Sequence, residues 1–96
     1  MLYALLCTDK PHSAELRAKM RPEHLAYLNN LGDALKFAGP FLDDAANPIG
    51  SLVMIEAETR AAAEKLASKD PYALAGLFAS VEIKAWRWTM KNPEAK

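Results

Sequence analysis

The chain has 96 residues, 51% hydrophobic and 25% charged. That is the composition of one folded domain with a modest core, not of a disordered segment. Its twelve basic and twelve acidic side chains cancel, so there is no basic excess for nucleic-acid phosphates and no like-charge block to act as an interaction tail.

The first ten residues, MLYALLCTDK, carry no basic leader, and their apolar run is too short to span a bilayer. Leu2 to Thr8 is expected as a buried strand closed by the turn cluster TDKP. Cys7 is the one cysteine. It cannot take part in a disulfide scaffold, so a buried thiol in a cytoplasmic, reducing setting is expected. Ser13 suits the N-cap of a helix from about Ala14. Pro22 predicts a break or kink near Arg21, with a second helical piece running to Gly32 or Ala34.

LKFAGPFL is a second strand, expected to be interrupted at Gly39-Pro40 by an edge or bulge that opens a cleft mouth. DDAANPIG is a polar loop. SLVMIEAE is a third strand. Thr59 caps an alanine-rich helix to about Lys69, and Pro71 to Leu77 adds a short helical turn. SVEIKAWRWTM is the last strand. The domain spans residues 1–90, and KNPEAK, residues 91–96, is a loose tail.

The order βαββαβ is that of a ferredoxin-like α+β fold with one antiparallel sheet. Both helices of that layout lie on one face of the sheet. The strands, however, are apolar on both faces: Leu2, Ala4 and Leu6 alternate with Tyr3, Leu5 and Cys7. A second cover is required, and another copy of the chain would supply it. Met54, Trp86, Trp88 and Met90 are expected to fill that dimer core.

Arg17, Arg21, His24, Leu28 and Leu31 recur at helical spacing along one face. His24 is thus either a core histidine satisfied by a backbone carbonyl or an imidazole poised for proton exchange beside cations that hold an anion. Asp70 before Pro71 is a helix N-cap. Such a cap spends one carboxylate oxygen on the backbone and leaves the other free for a partner such as an imidazole. Asp43 and Asp44 with His12 lack ligand spacing and read as a solvated loop, so no metal is expected. No phosphate-cradling or dinucleotide motif is present, and no cofactor is expected.

RPEHLAYL, AGP, GSLVMIE, KDPYALAGLF and VEIKAW, spread from Leu2 to about Trp88, together resemble the YciI family of small proteins. The resemblance implies a ferredoxin-like fold, a dimeric α+β barrel, and a His–Asp pair in an active site, here His24 and Asp70. Arg21 stands where the family has an arginine ahead of the histidine. Ser51 follows Gly50 as in the family's GS, and Tyr72 and Gly76 complete the DPY block. Pro22 and the short loop LDDAANPIG depart from the pattern at the cleft wall. The wider dimeric barrel group includes isomerases, oxygenases and dehalogenating enzymes acting on small ring compounds.

The expected function is cofactor-free acid–base chemistry, isomerisation or elimination, on a small anionic or phenolic metabolite. His24 and Asp70 would be catalytic, and Arg21, Ser51 and Tyr72 would bind substrate. The alternative is a dimer that binds a small ligand without turning it over. Neither nucleic acid nor membrane is an expected partner. A dimer mass is expected in light scattering at micromolar concentration, and a monomer mass would count against the second copy.

Overall fold

The computed structural model describes residues 1–94. The elements are β1 (Leu2–Asp9), α1 (Ala14–Asn30), a 3-10 turn (Gly32–Ala34), β2 (Leu35–Leu42), β3 (Pro48–Glu56), α2 (Arg60–Ser68), α3 (Pro71–Leu74) and β4 (Phe78–Trp86). The strands form one four-stranded sheet in the order β2-β3-β1-β4, antiparallel throughout. This is the ferredoxin-like βαββαβ fold. Of the expected tail, residues 95 and 96 lie outside the described residues.

Alternation along the central strands sets the core. Tyr3, Leu5 and Cys7 stand opposite Ile55, Val53 and Ser51 of β3 and opposite Ala85, Ile83 and Val81 of β4. Leu28 of α1 and Ala63 of α2 close over this face. The inward face is apolar from Tyr3 to Leu5 and turns polar at Asp9, the end of β1, and at Ser51, in the first half of β3. That transition positions the site.

Several expected boundaries shift, each for a reason of partnering. α1 does not break at Pro22 and runs unbroken through it. Pro22 is exposed, so the Ala18 carbonyl that loses its partner sits where water can replace it. Arg17, His24 and Leu28, buried on either side, tie both halves to the interior. Ser13 occupies the N-cap position, but its side chain makes no capping bond, whereas Thr59 accepts the Ala62 N–H at 3.1 Å.

Gly39-Pro40 does not interrupt β2. Pro40 pairs opposite Ser51, and the irregularities fall instead at Leu35/Phe37 and Phe41/Leu42. On an edge strand a missing N–H costs no ladder bond on the open side. β3 begins at Pro48, not Ser51, because β2 continues to Leu42 and pairs with it. β4 runs from Phe78 to Trp86, not from Ser80 to Met90. Asp9 pairs with Phe78, and Leu2 with Trp86, where β1 runs out of residues.

The second sheet face, expected to await a partner chain, is covered in part by the chain itself. Phe37 meets Trp86 and Trp88 edge-on, with centroids 5.9 and 5.1 Å away, and the Lys36 ammonium reaches Glu94 at 2.8 Å. Met54 is therefore buried within a single chain. Trp88 packs on the chain's own Phe37 beyond the strand, and Met90 is 76% exposed. No helix among the described residues is long and apolar enough to cross a membrane.

One glycine is required by a close approach. A Cβ on Gly50 would be driven into the Cys7 carbonyl oxygen, while one on Gly39 would meet open space. Gly50→Ala is expected to cost about 1–3 kcal/mol in urea unfolding, and Gly39→Ala to stay within about 0.5 kcal/mol.

Candidate functional site

Asp70 is the N-cap of α3, and its Oδ1 accepts the Tyr72 backbone N–H at 2.9 Å. Both of its oxygens also lie 2.9 Å from His24 Nδ1. A carboxylate only accepts, so this contact selects the tautomer with the proton on Nδ1. His24 and Asp70 are buried, at 7% and 6% exposure. Among the described residues no sealed side-chain nitrogen or oxygen lacks a partner. Nε2 has no hydrogen-bond partner among the described residues, so it is open, and the cleft that His24 lines is where it opens.

The Tyr72 ring lies flat against the imidazole, centroids 3.9 Å apart at 14°. It fixes the ring plane that Asp70 fixes at one atom. Tyr72 is 1% exposed. Its hydroxyl has no hydrogen-bond partner among the described residues, and what exposure remains belongs to that hydroxyl by the same reasoning. Burial raises the phenol above its ordinary value; Arg17 and Arg21 oppose the rise and Asp70 and Asp9 reinforce it.

A second buried polar set adjoins the first. Arg17 Nε and Nη2 meet Asp9 Oδ2 and Oδ1 at 2.6 and 2.9 Å. Nη2 also donates to Ser51 Oγ at 2.9 Å, and Cζ lies 4.7 Å from the centroid of the Tyr72 ring. Burial works against the Arg17 charge, but the hydrogen-bonded Asp9 outweighs it and raises the guanidinium above its ordinary value. Cys7, opposite Ser51, is pushed up to about 12, first by burial and then by Asp70 and Asp9, with Arg17 pulling the other way. Its thiol stays protonated and is no nucleophile at neutral pH.

Arg17, His24, Ser51 and Tyr72 line one wall of a cleft of about 500 Å³ between α1 and the β2–β3 hairpin, with Asp9 and Asp70 behind them. The facing wall is small and apolar: Ala38, Gly39, Pro40, Pro48 and Val53. The cleft exists because α2 packs on β4 and β1 while α1 leans on α3, leaving the inward side of β2 without a helix.

Of the residues expected in a site, His24, Asp70 and Tyr72 are in mutual contact, and Ser51 joins them through Arg17. Arg21 also lines the cleft but is exposed, at its mouth. Asp43 is spent on the hairpin turn, accepting the Ala45 and Asn47 N–H groups at 2.9 Å each. Arg17, on the same helical stripe as His24, is expected with Arg21 to hold an anion but is paired here with Asp9, and Asp9 reads in the sequence only as part of a turn cluster. The signal for Arg17 was its position two turns before His24. Asp9 had none, because its partner is set by where β1 ends.

A YCII-related domain matches residues 1–87. The chain belongs to the YCII-related family. The chain is 40% identical over 95 residues to Protein YciI of Escherichia coli O6:H1, covering 91% of this chain and 97% of the relative. It is 36% identical over 96 residues to an uncharacterized protein of Haemophilus influenzae, with the same coverage. Among solved structures it is similar to TftG, a 5-chloro-2-hydroxyhydroquinone dehydrochlorinase from Burkholderia phenoliruptrix AC1100, in complex with 2,5-dihydroxybenzoquinone. The TM-score is 0.85 and the identity 31%, over 96% of this chain and 99% of that one. A NIPSNAP family protein from Agrobacterium tumefaciens, at TM-score 0.60 and 19% identity over 98% and 97% of the two chains, shares the fold.

In this YCII-related chain Asp70 both caps a helix and holds a buried imidazole. Asp70→Ala is expected to cost about 2–4 kcal/mol in urea unfolding, against about 1 kcal/mol for Thr59→Ala, which removes an exposed cap alone.

Proposed function

We propose that this protein is an enzyme that uses His24 as a general base on a small hydroxylated ring, in an elimination or isomerisation. The observation that carries it is His24 Nδ1 anchored on a buried carboxylate while Nε2 opens to the cleft. Asp70 holds the tautomer in which Nε2 can take a proton and stabilises the imidazolium that results. The resemblance to a dehydrochlorinase at 31% identity supports the ring as substrate class.

In the elimination the substrate reacts as the keto tautomer, in which a hydroxyl proton has moved to the ring carbon that bears the leaving group. Nε2 removes a second hydroxyl proton, the electron pair moves through the ring, and an anion such as chloride leaves from that carbon. The substrate loses one proton and one anion, and no oxidant or reductant takes part. In the isomerisation the imidazolium gives the proton back to a ring carbon, so that the hydroxyl becomes a carbonyl and no group leaves. Arg21, at the cleft mouth, attracts the anionic form of the substrate. Among the described residues Arg21 pairs with no carboxylate, whereas Arg17 is neutralised by Asp9. The working unit is a homodimer in which a second copy covers Leu2, Leu6 and Leu52, which one chain leaves half-buried.

The test is chloride release from 5-chloro-2-hydroxyhydroquinone, with 2,5-dihydroxybenzoquinone as a binding probe. His24→Ala is expected to lower turnover on the order of 10²-fold or more while probe affinity changes by less than about threefold. Asp70→Asn keeps the cap but removes the charge, and is expected to lower turnover by a similar factor. Probe binding by the wild-type protein without any chloride release would favour the non-catalytic binding dimer.

A further inference from the structure

Proton removal by His24 leaves a negative charge on the substrate, and nothing in that step explains why an arginine is buried alongside. Arg17 lies on the inner face of α1 at 7% exposure. Asp9 occupies its Nε and one hydrogen of Nη2 in a two-point pair, which neutralises the guanidinium. The remaining bond of Nη2 goes to Ser51 Oγ at 2.9 Å.

That bond has a direction. A guanidinium has no acceptor, so Ser51 Oγ receives the hydrogen and keeps its own hydroxyl proton to give. Ser51 is 3% exposed and finds no acceptor in the chain among the described residues. It is a lining residue of the same cleft as His24. Arg17 and His24 both touch the Tyr72 ring, so donor and base share one end of the cleft. Gly50 carries no side chain to crowd the strand beside it, since a Cβ there would strike Cys7.

We propose that Ser51 is the hydrogen-bond donor to the substrate oxygen that gains negative charge as His24 takes its proton, and that the Arg17–Asp9 pair aims and polarises the Ser51 hydroxyl. This rests on the acid–base role given to His24. It names the substrate class more closely: a compound that passes through a phenolate or enolate, with the oxygen that becomes anionic directed at Ser51. The donor is fixed before substrate arrives, so no reorganisation opposes the reaction when charge develops. Arg17 is a positioning residue. It acts through Ser51 and leaves the attraction of the incoming anion to Arg21.

The test is calorimetric binding of 2,5-dihydroxybenzoquinone, ionised at neutral pH, to the full chain and to Ser51→Ala, Ser51→Thr, Arg17→Lys and the double variant Ser51→Ala/Arg17→Lys. Ser51→Ala is expected to weaken binding roughly tenfold or more, and Ser51→Thr, which keeps the hydroxyl, to stay within about threefold of wild type. Arg17→Lys is expected to weaken binding, and the double variant to bind no worse than Ser51→Ala alone, because the two residues act as one unit. Wild-type affinity in Ser51→Ala overturns the donor. Additive losses in the double variant overturn the positioning role, since they mean that the guanidinium meets the ligand itself. Should Arg17→Lys fail to fold, Ser51→Ala and Ser51→Thr, which leave the Arg17–Asp9 pair intact, still decide the donor. Loss of turnover in His24→Ala with unchanged binding in Ser51→Ala would sink this inference and spare the general base. A wild-type protein that neither binds the quinone nor releases chloride would sink both.

Discussion

A carboxylate withdrawn from water has to be satisfied by hydrogen bonds, and Asp70 meets that demand with two donors from different parts of the chain. One is the backbone N–H of Tyr72, the other Nδ1 of His24. The first starts α3 and the second pins α1 against it. Removing either donor leaves a buried charge short of a partner, which costs more than the bond itself was worth. The relative placement of α1 and α3, and with it one wall of the cleft, follows from this shared acceptor.

The same demand recurs one element away. Arg17 and Asp9 pair where the inward face of the sheet turns polar, and burying two such charges brings little net stability. The benefit is geometric. A planar guanidinium held at two points fixes the direction of its third bond, to Ser51. The Tyr72 ring lies against both sets, stacked on His24 and under Arg17. A buried ion pair and a buried imidazole–carboxylate hydrogen bond, each of little net benefit to a core, thus make one rigid polar wall facing an apolar one.

The sheet's other face follows a different rule. Apolar strands on both sides need two covers, and the chain's helices supply one. Phe37, Trp86 and Trp88 form a partial second cover. Large aromatic side chains near the strand ends can lie back over smaller residues such as Ala4, which a pattern of alternation does not reveal. A chain that partly covers itself presents a smaller, more aromatic surface to a second copy than the bare strands would.

The order of elements, the two-sided apolar strands, the Thr59 cap and the capping role of Asp70 were legible in local sequence, because periodicity and cap chemistry act within a few residues. His24 and Asp70 could be named singly, and their pairing came from a family resemblance. Their 2.9 Å contact spans 46 positions and exists only because the fold brings α1 to the start of α3. Strand ends, the unbroken helix through Pro22 and the partnership of Arg17 with Asp9 and Ser51 were decided by tertiary structure alone. In each case the deciding fact is which group lies across the gap: a pairing strand that runs out, water at an exposed carbonyl, a carboxylate at the end of β1. Sequence determined which residues could carry charge into the interior, and the fold determined which of them would meet.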